Sequence, residues 1–189
     1  MKDLLLIALI LGTALTTANA QSYVEDPNPM VKSEFQWPDG KKMGLSLTFD
    51  DARFSQVEKG IPLLDKYNVK ATFYISPDAM IQRIDDWKKA VKNGHEIGNH
   101  SIVHPCWGNF DWARDTPIEN YTLQSMHAEL DSANEIIENS LGITPSSYAY
   151  PCGHTFIGKA KETQSLVPLI SSMFETGRTW LAEVPNDPV

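Results

Sequence analysis

Leu45-Ser46-Leu47-Thr48-Phe49-Asp50-Asp51 alternates apolar and polar residues and then breaks off in two adjacent carboxylates. Alternation at period two reads as a half-buried β-strand, with Leu45, Leu47 and Phe49 on one face and Ser46 and Thr48 on the other. Asp is disfavoured inside a strand, so the pair is expected at its C-terminal end. Neighbouring anions oppose each other's ionisation. A metal ion relieves that conflict if one carboxylate binds it and the other stays free as a base. Such a division requires further ligands, brought in from other strand ends.

Outward from this stretch, strands and helices alternate. Ile61, Leu63, Leu64 and Tyr67 fit a helix ending near Asn68. Lys70 to Ile75 reads as a second strand, stopped by Ser76-Pro77. Met80, Ile81, Ile84, Trp87, Ala90 and Val91 recur at helical spacing, and Asn93-Gly94 is a stop signal. His95 to Asn99 is a short third strand. Thr122 opens the clearest helix, with Leu123, Met126, Leu130, Ala133 and Ile137 on one face and an end at Leu141-Gly142. Its opposite face, with Glu129, Asp131, Glu135 and Glu138, reads as solvated. Ser147 to Tyr150 is a fourth strand, and a fifth falls near 175–180. A helical pattern from Ile157 to Phe174 contains Pro168, which predicts a kink or interruption. The alternation predicts an α/β fold with parallel strands.

The third strand runs into His100-Ser101-Ile102-Val103-His104. Imidazoles four residues apart lie on one side of a helical turn and reach one ion together. H-x-x-x-H by itself is equally a pair of surface or core histidines. Here it follows a strand end, as the Asp pair does, and strand C-termini of parallel α/β folds share one face. Asp51, His100 and His104 then make a mixed N/O triad suited to one divalent ion, zinc first. His95 and His127 have no better reading than a structural one.

These pieces resemble the polysaccharide deacetylase (NodB-homology) family, also called carbohydrate esterase family 4. The resemblance is carried by Thr48-Phe49-Asp50-Asp51, Lys70-Ala71-Thr72-Phe73, Gly94-His95-Glu96-Ile97-Gly98-Asn99-His100-Ser101-Ile102-Val103-His104 and Tyr150-Pro151-Cys152-Gly153. It covers about residues 43 to 180. It implies a distorted (β/α) barrel and metal-dependent removal of acetyl groups from an N- or O-acetylated polysaccharide or oligosaccharide. By position, Asp50 would be the base, Asp51, His100 and His104 the metal ligands, and the backbone N–H of Cys152 an oxyanion donor. The chemistry agrees. A divalent ion polarises a carbonyl and lowers the pKa of bound water, and a carboxylate free of the metal can take the proton.

Two departures stand out. The family's Arg two residues before the motif proline is Ala149 here, and Arg178 and Arg114 are the candidates to replace it in orienting Asp50. The family's last motif, with its general-acid His, has no match. His154 is the nearest candidate for that role. These departures keep a second reading open, a glycan-binding module that has lost catalysis. Residues 105–121 form a long loop bearing Trp107, Phe110, Trp112 and Tyr121, a composition suited to stacking on sugar rings or to pinning the loop. Trp107 is the candidate sugar contact, and Tyr150 in the third motif is another. Cys106 and Cys152, the only two cysteines, each follow a Pro beside an active-site motif. They are expected close in space, as a disulfide, as free thiols, or with Cys106 as a further metal neighbour.

Composition bounds the partners. The chain has 189 residues, a formal charge of -8 and a pI near 5.0. Nucleic acid is excluded as a partner by the charge and the lack of a basic cluster. Residues 1–20 have the form of a secretory signal, with Lys2, an apolar run from Leu4 to Leu15 and a cleavage site at Ala18-Asn19-Ala20. Export to the periplasm or outside follows, with no membrane span after cleavage. Residues 21–42 read as an arm, and 43–189 as the deacetylase domain. Five expected strands fall short of the roughly eight of a full barrel, so the barrel is expected to be incomplete at its C-terminal end, with a poorly shielded metal site.

Overall fold

In the structure, a computed structural model that describes residues 36–179, the alternating pattern becomes one parallel sheet. Its strands are β1 (Thr48–Asp50), β2 (Thr72–Ile75), β3 (Glu96–Asn99), β4 (Ser147–Ala149) and β7 (Thr176–Arg178), in the order β1-β2-β3-β4-β7. All four pairings are parallel. These are the five strands expected from the sequence. A two-stranded antiparallel ribbon, β5 (Phe156–Ile157) and β6 (Gln164–Ser165), lies between β4 and β7 in the chain. The helices are α1 (Ile61–Lys66), α2 (Pro77–Ile81), α3 (Ile84–Lys92), α4 (Leu123–Leu141) and α5 (Val167–Met173). The sheet is curled into a half-barrel with the helices on its outer side. The expected signal segment and residues 21–35 of the expected arm lie outside the described residues, as do 180–189.

The register fixes which side chains share a face. Thr48, Thr72 and Glu96 stand in one row, and Asp50, Tyr74 and Gly98 in the next. Ala149 pairs with Arg178. The concave face is therefore polar. Ser147 Oγ donates to Glu96 Oε1 at 2.6 Å, and Thr72 Oγ1 donates to Glu96 Oε2 at 2.5 Å. The alternate residues turn outward to the helices. Phe73, Ile75 and Ile97 pack with Ile61, Met80, Trp87, Ala90 and Ile137. A second apolar cluster joins Met126 and Leu130 to Tyr148, Tyr150, Ile157, Leu166, Ile170 and Phe174. The core thus sits between sheet and helices.

Helix α4 follows its sequence signals. Thr122 caps it, accepting from Ser125 N–H at 3.1 Å while Thr122 N–H donates to Ser125 Oγ at 2.9 Å. Gly142 ends it in the left-handed region at φ 73°, where glycine carries no Cβ penalty.

Several expectations are corrected. Ladder pairing begins at Leu47, whose carbonyl accepts from Thr72 N–H at 2.9 Å. Leu45 precedes that pairing and is 82% exposed. The helical run from Met80 to Val91 is two helices. Arg83 breaks it with φ −134° and ψ 36°, and Ile81 faces solvent. The stretch from Ile157 to Phe174 is a helix only from Val167. Pro168 begins that helix instead of kinking it, since a first-turn proline forfeits no intrahelical hydrogen bond. Among the described residues, no helix is long and apolar enough to cross a membrane.

Candidate active site

The carboxylates of Asp50 and Asp51 part at the end of β1. Asp50 belongs to the concave face. Arg178 on the far edge strand β7 reaches across that face, and its Nη2 donates to Asp50 Oδ1. Asp51 follows with φ 77° and Ala52 with φ 52°. This left-handed turn, which Asp tolerates better than most residues, carries the Asp51 carboxylate away from its neighbour's. Asp51 N–H stays on the sheet, donating to Tyr74 O at 3.1 Å.

Asp51 Oδ1 lies 3.5 Å from His100 Nε2 and 3.7 Å from His104 Nε2. The imidazole rings are edge to face, with centroids 4.7 Å apart. The three donor atoms lie within 4.8 Å of one another. Ligands held about 2.0–2.2 Å from a tetrahedral ion are themselves about 3.4 Å apart. The donor set therefore fits a divalent ion with little movement, and its mixed N/O chemistry suits zinc. The second carboxylate oxygen is taken, since Arg53 Nη2 and Nε donate to Asp51 Oδ2 at 2.9 and 3.1 Å. The His100 hydrogen bond, helped by Arg53 and opposed by partial burial, holds the Asp51 carboxyl well below the ordinary carboxylate range.

The histidines do not share a helical turn, as their spacing suggested. Residues 100–104 form an irregular loop in which Ser101 and His104 have φ of 62° and 51°. Side-chain bonds to the backbone hold that loop, where a helix would use its own ladder. Asn99 Oδ1 accepts from Ser101 N–H at 2.7 Å, and Ser101 Oγ accepts from His104 N–H at 3.1 Å. Glu129 of α4 accepts from the N–H groups of Ile102 and Val103 at 3.2 and 3.0 Å, and from the Tyr121 hydroxyl at 3.2 Å. Its expected place on a solvated helix face is thus corrected. No periodicity marks Glu129, because a partner in another loop is invisible to helical spacing.

The two cysteines are joined. The Cys106–Cys152 disulfide has a Cα separation of 5.9 Å and ties the loop after His104 to the turn after β4. Cys106 Sγ lies 3.5 Å from His104 Nδ1. A half-cystine carries no thiolate, so Cys106 as a metal neighbour is corrected. Cys152 has φ 53° in the turn Pro151–Gly153. The turn's bonds come from Gly153 N–H to Tyr150 O and from His154 N–H to Pro151 O. Cys152 N–H stands outside those bonds. Of eight left-handed non-glycine residues among those described, Asp51, Ala52, Ser101, His104 and Cys152 are all here. Such clustering of strain is characteristic of functional sites.

The remaining candidates separate. Arg114 pairs with Asp111 at 2.6 Å at the surface, so Arg178 alone of the two reaches Asp50. Tyr150 is corrected as a sugar contact. It follows Tyr148 by two residues, so it faces the same outward side, and it is 6% exposed within the second core cluster. Trp107 is partly exposed and meets the His154 ring edge to face at 5.3 Å. His154 Nδ1 is buried with no hydrogen-bond partner among the described residues, and burial pulls its pKa down. His95 is structural. Its Nδ1 accepts from Ala71 N–H at 3.3 Å and its Nε2 meets Asp65 Oδ1 at 3.2 Å.

Comparison with known proteins identifies the family. The polysaccharide deacetylase family pattern matches residues 38–166. Protein YlxY of Bacillus subtilis is 36% identical over 97 residues, which is 51% of this chain and 27% of that protein. Peptidoglycan-N-acetylglucosamine deacetylase PgdA of Listeria monocytogenes is 27% identical over 110 residues, 58% of this chain and 21% of PgdA. Chitin deacetylase 1 of Cryptococcus neoformans is 25% identical over 152 residues, 79% of this chain and 30% of that enzyme. The chain thus spans less than a third of the length of these relatives. Among solved structures, a variant of a CE4 family pseudoenzyme from Bacillus anthracis, with restored enzymatic activity, superposes with a TM-score of 0.53 at 22% identity. That match covers 70% of this chain and 43% of the other, and it supports the fold. On the family match over more than half its length, the chain belongs to the polysaccharide deacetylase family.

Proposed function

We propose that this chain is a metal-dependent deacetylase of an N- or O-acetylated glycan, acting after export. The observation that carries the reading is the difference in surroundings within the Asp pair. Asp51 faces two imidazoles, and Asp50 faces a guanidinium. In this reading Asp51, His100 and His104 hold one divalent ion, zinc first. When bound, the ion supplies a Lewis acid for an acyl carbonyl and for the attacking water. Asp50, aimed by Arg178, accepts the proton of that water. Cys152 N–H, in its left-handed turn, donates to the oxygen that becomes negative in the tetrahedral transition state. His154, beside Trp107, is the nearest imidazole for protonating the leaving group. Trp107 offers an aromatic face to the sugar.

The second reading is a glycan-binding module without catalysis. It is favoured by the pseudoenzyme that shares the fold. Acetate release from acetylated chitin oligomers, peptidoglycan, exopolysaccharide and xylan, with and without a chelator, separates the two. Asp50→Asn is expected to keep its metal and lose about 10²- to 10⁴-fold in rate. Metal loss in that variant would mean that Asp50 and Asp51 exchange roles.

A further inference from the structure

The concave face of the sheet holds one large side chain to which the deacetylase reading gives no task. Tyr74 is 5% exposed and stands between Asp50 and Gly98 in the register of β1, β2 and β3. Its ring fills the space that a side chain at 98 would occupy. A Cβ on Gly98 would come within 2.5 Å of Tyr74 Cδ1, 2.6 Å of Cε1 and 2.7 Å of Ser147 Oγ. Real Cβ atoms do not approach so closely, so glycine at 98 admits the ring. The far side of that contact cannot retreat freely, because Ser147 is bonded to Glu96 and Glu96 to Thr72.

Arg178 lies over this ring, with Cζ 4.8 Å from the centroid. A guanidinium over an aromatic face is attracted by the ring quadrupole, most strongly where water is excluded. Arg178 needs such support. Its Nη2 is committed to Asp50, while its Nε is buried with no hydrogen-bond partner among the described residues. Burial raises the pKa of the Tyr74 hydroxyl, against the opposing influence of Ser147 and the Arg178 charge, so the ring stays neutral beneath the cation.

We infer that Tyr74 is a positioning residue for the reaction, its ring being the platform that holds Arg178 against Asp50, with Gly98 as the space that admits it. The inference rests on Asp50 being the base. Tyr74 touches no reacting atom and acts through Arg178. A residue that merely filled the interior would affect stability and leave turnover of the folded enzyme unchanged.

The test uses Tyr74→Phe, Tyr74→Leu and Arg178→Gln, singly and combined. Its readouts are kcat and KM for acetate release, metal content, and the NMR resonance of the Arg178 Nε–H group. Tyr74→Phe keeps the ring and is expected within about threefold of wild type in kcat. Tyr74→Leu should lose about tenfold in kcat with KM within about twofold and metal content unchanged. In the Arg178→Gln background the same leucine should cost about twofold or less, since its effect passes through the arginine. The Nε–H resonance should be ring-current shifted in wild type and Tyr74→Phe, and unshifted in Tyr74→Leu. An unshifted signal in wild type overturns the platform, and this measurement needs no folded leucine variant. A Tyr74→Leu enzyme with full kcat, or additive losses in the double variant, also overturns it. If wild type releases no acetate, the deacetylase reading fails separately, and the resonance still decides the platform.

Discussion

His100 Nδ1 donates to the Ala149 carbonyl at 2.8 Å, and the bond decides which nitrogen faces Asp51. A carbonyl can only accept, so a proton sits on Nδ1; Nε2 reaches Asp51 through a hydrogen bond in the metal-free protein, and its lone pair would take a divalent ion in place of the proton in that bond. Outer partners of this kind fix a ligand's tautomer and aim. The protein is therefore expected to bind one divalent ion per chain. His100→Ala and His104→Ala should each fall well below one equivalent by elemental analysis after gel filtration. Full occupancy in both variants would remove the triad as the metal site.

The disulfide should matter for both stability and rate. It closes a loop of 46 residues, for which the chain-entropy relation gives about 4 kcal/mol as an upper figure. Reduction, or Cys106→Ser with Cys152→Ser, is expected to lower the melting temperature and slow acetate release. Both loops it joins carry proposed site groups. Unreduced peptide mass mapping should show the pair linked. Two alkylatable thiols in the native protein would contradict the bond.

Glu129 is expected to behave as part of the metal loop despite its place on α4. Glu129→Ala leaves two loop N–H groups without their acceptor, at a cost of about 1–3 kcal/mol. Metal affinity should drop with it, because those groups hold the segment between His100 and His104. Glu129→Gln keeps one carbonyl oxygen and should recover most of the loss. Equal melting points for alanine, glutamine and wild type would show that the loop holds itself.

Acid should weaken the metal-free protein in a defined window. Burial, chiefly, pulls both His104 and His154 below the ordinary imidazole value. In the unfolded chain each takes its proton near about pH 6.5. Between that value and the lower folded one, the unfolded state binds more protons, so stability rises with pH. Urea midpoints of chelator-treated protein should therefore fall as pH drops through about 6.5. The slope should shrink in His154→Asn. A profile flat from about pH 7.5 to 5 would contradict the burial effect.

The sequence revealed the sheet better than the space around it. Alternation in 45–49 and the Asp pair located β1, and strand ends gave the shared rim on which Asp51, His100 and His104 meet. Short motifs sufficed there because Asp51 and His100 directly follow strands and His104 is only four residues further on. Helix breaks were harder. Arg83 carries no Gly or Pro signal, and Pro168 suits a first turn as well as a kink. Arg178 was one of two candidates, because an ion pair 128 residues apart in sequence depends on the curl of the sheet. Tyr74 and Glu129 were hidden for the same reason. Tyr74 reads as one more aromatic in a buried strand until the register sets it between Asp50 and Gly98. Arg53 was missed although it lies two residues from Asp51, since the left-handed turn that brings it back is not written in residue type.

The polar lining formed by Thr72, Glu96 and Ser147 has a consequence for how such a sheet tolerates change. Barrels filled with branched aliphatic side chains depend on closure, because an open wall would wet an oily lumen. Here most of the greasy surface lies outside, packed against helices, and the hollow is lined by polar groups. Strands could be added or lost at the rim, and the curl could breathe, without spilling hydrocarbon into solvent. The constraint on strand number then comes from the backbone edges and from Arg178 and Asp50, which clasp the hollow from opposite sides.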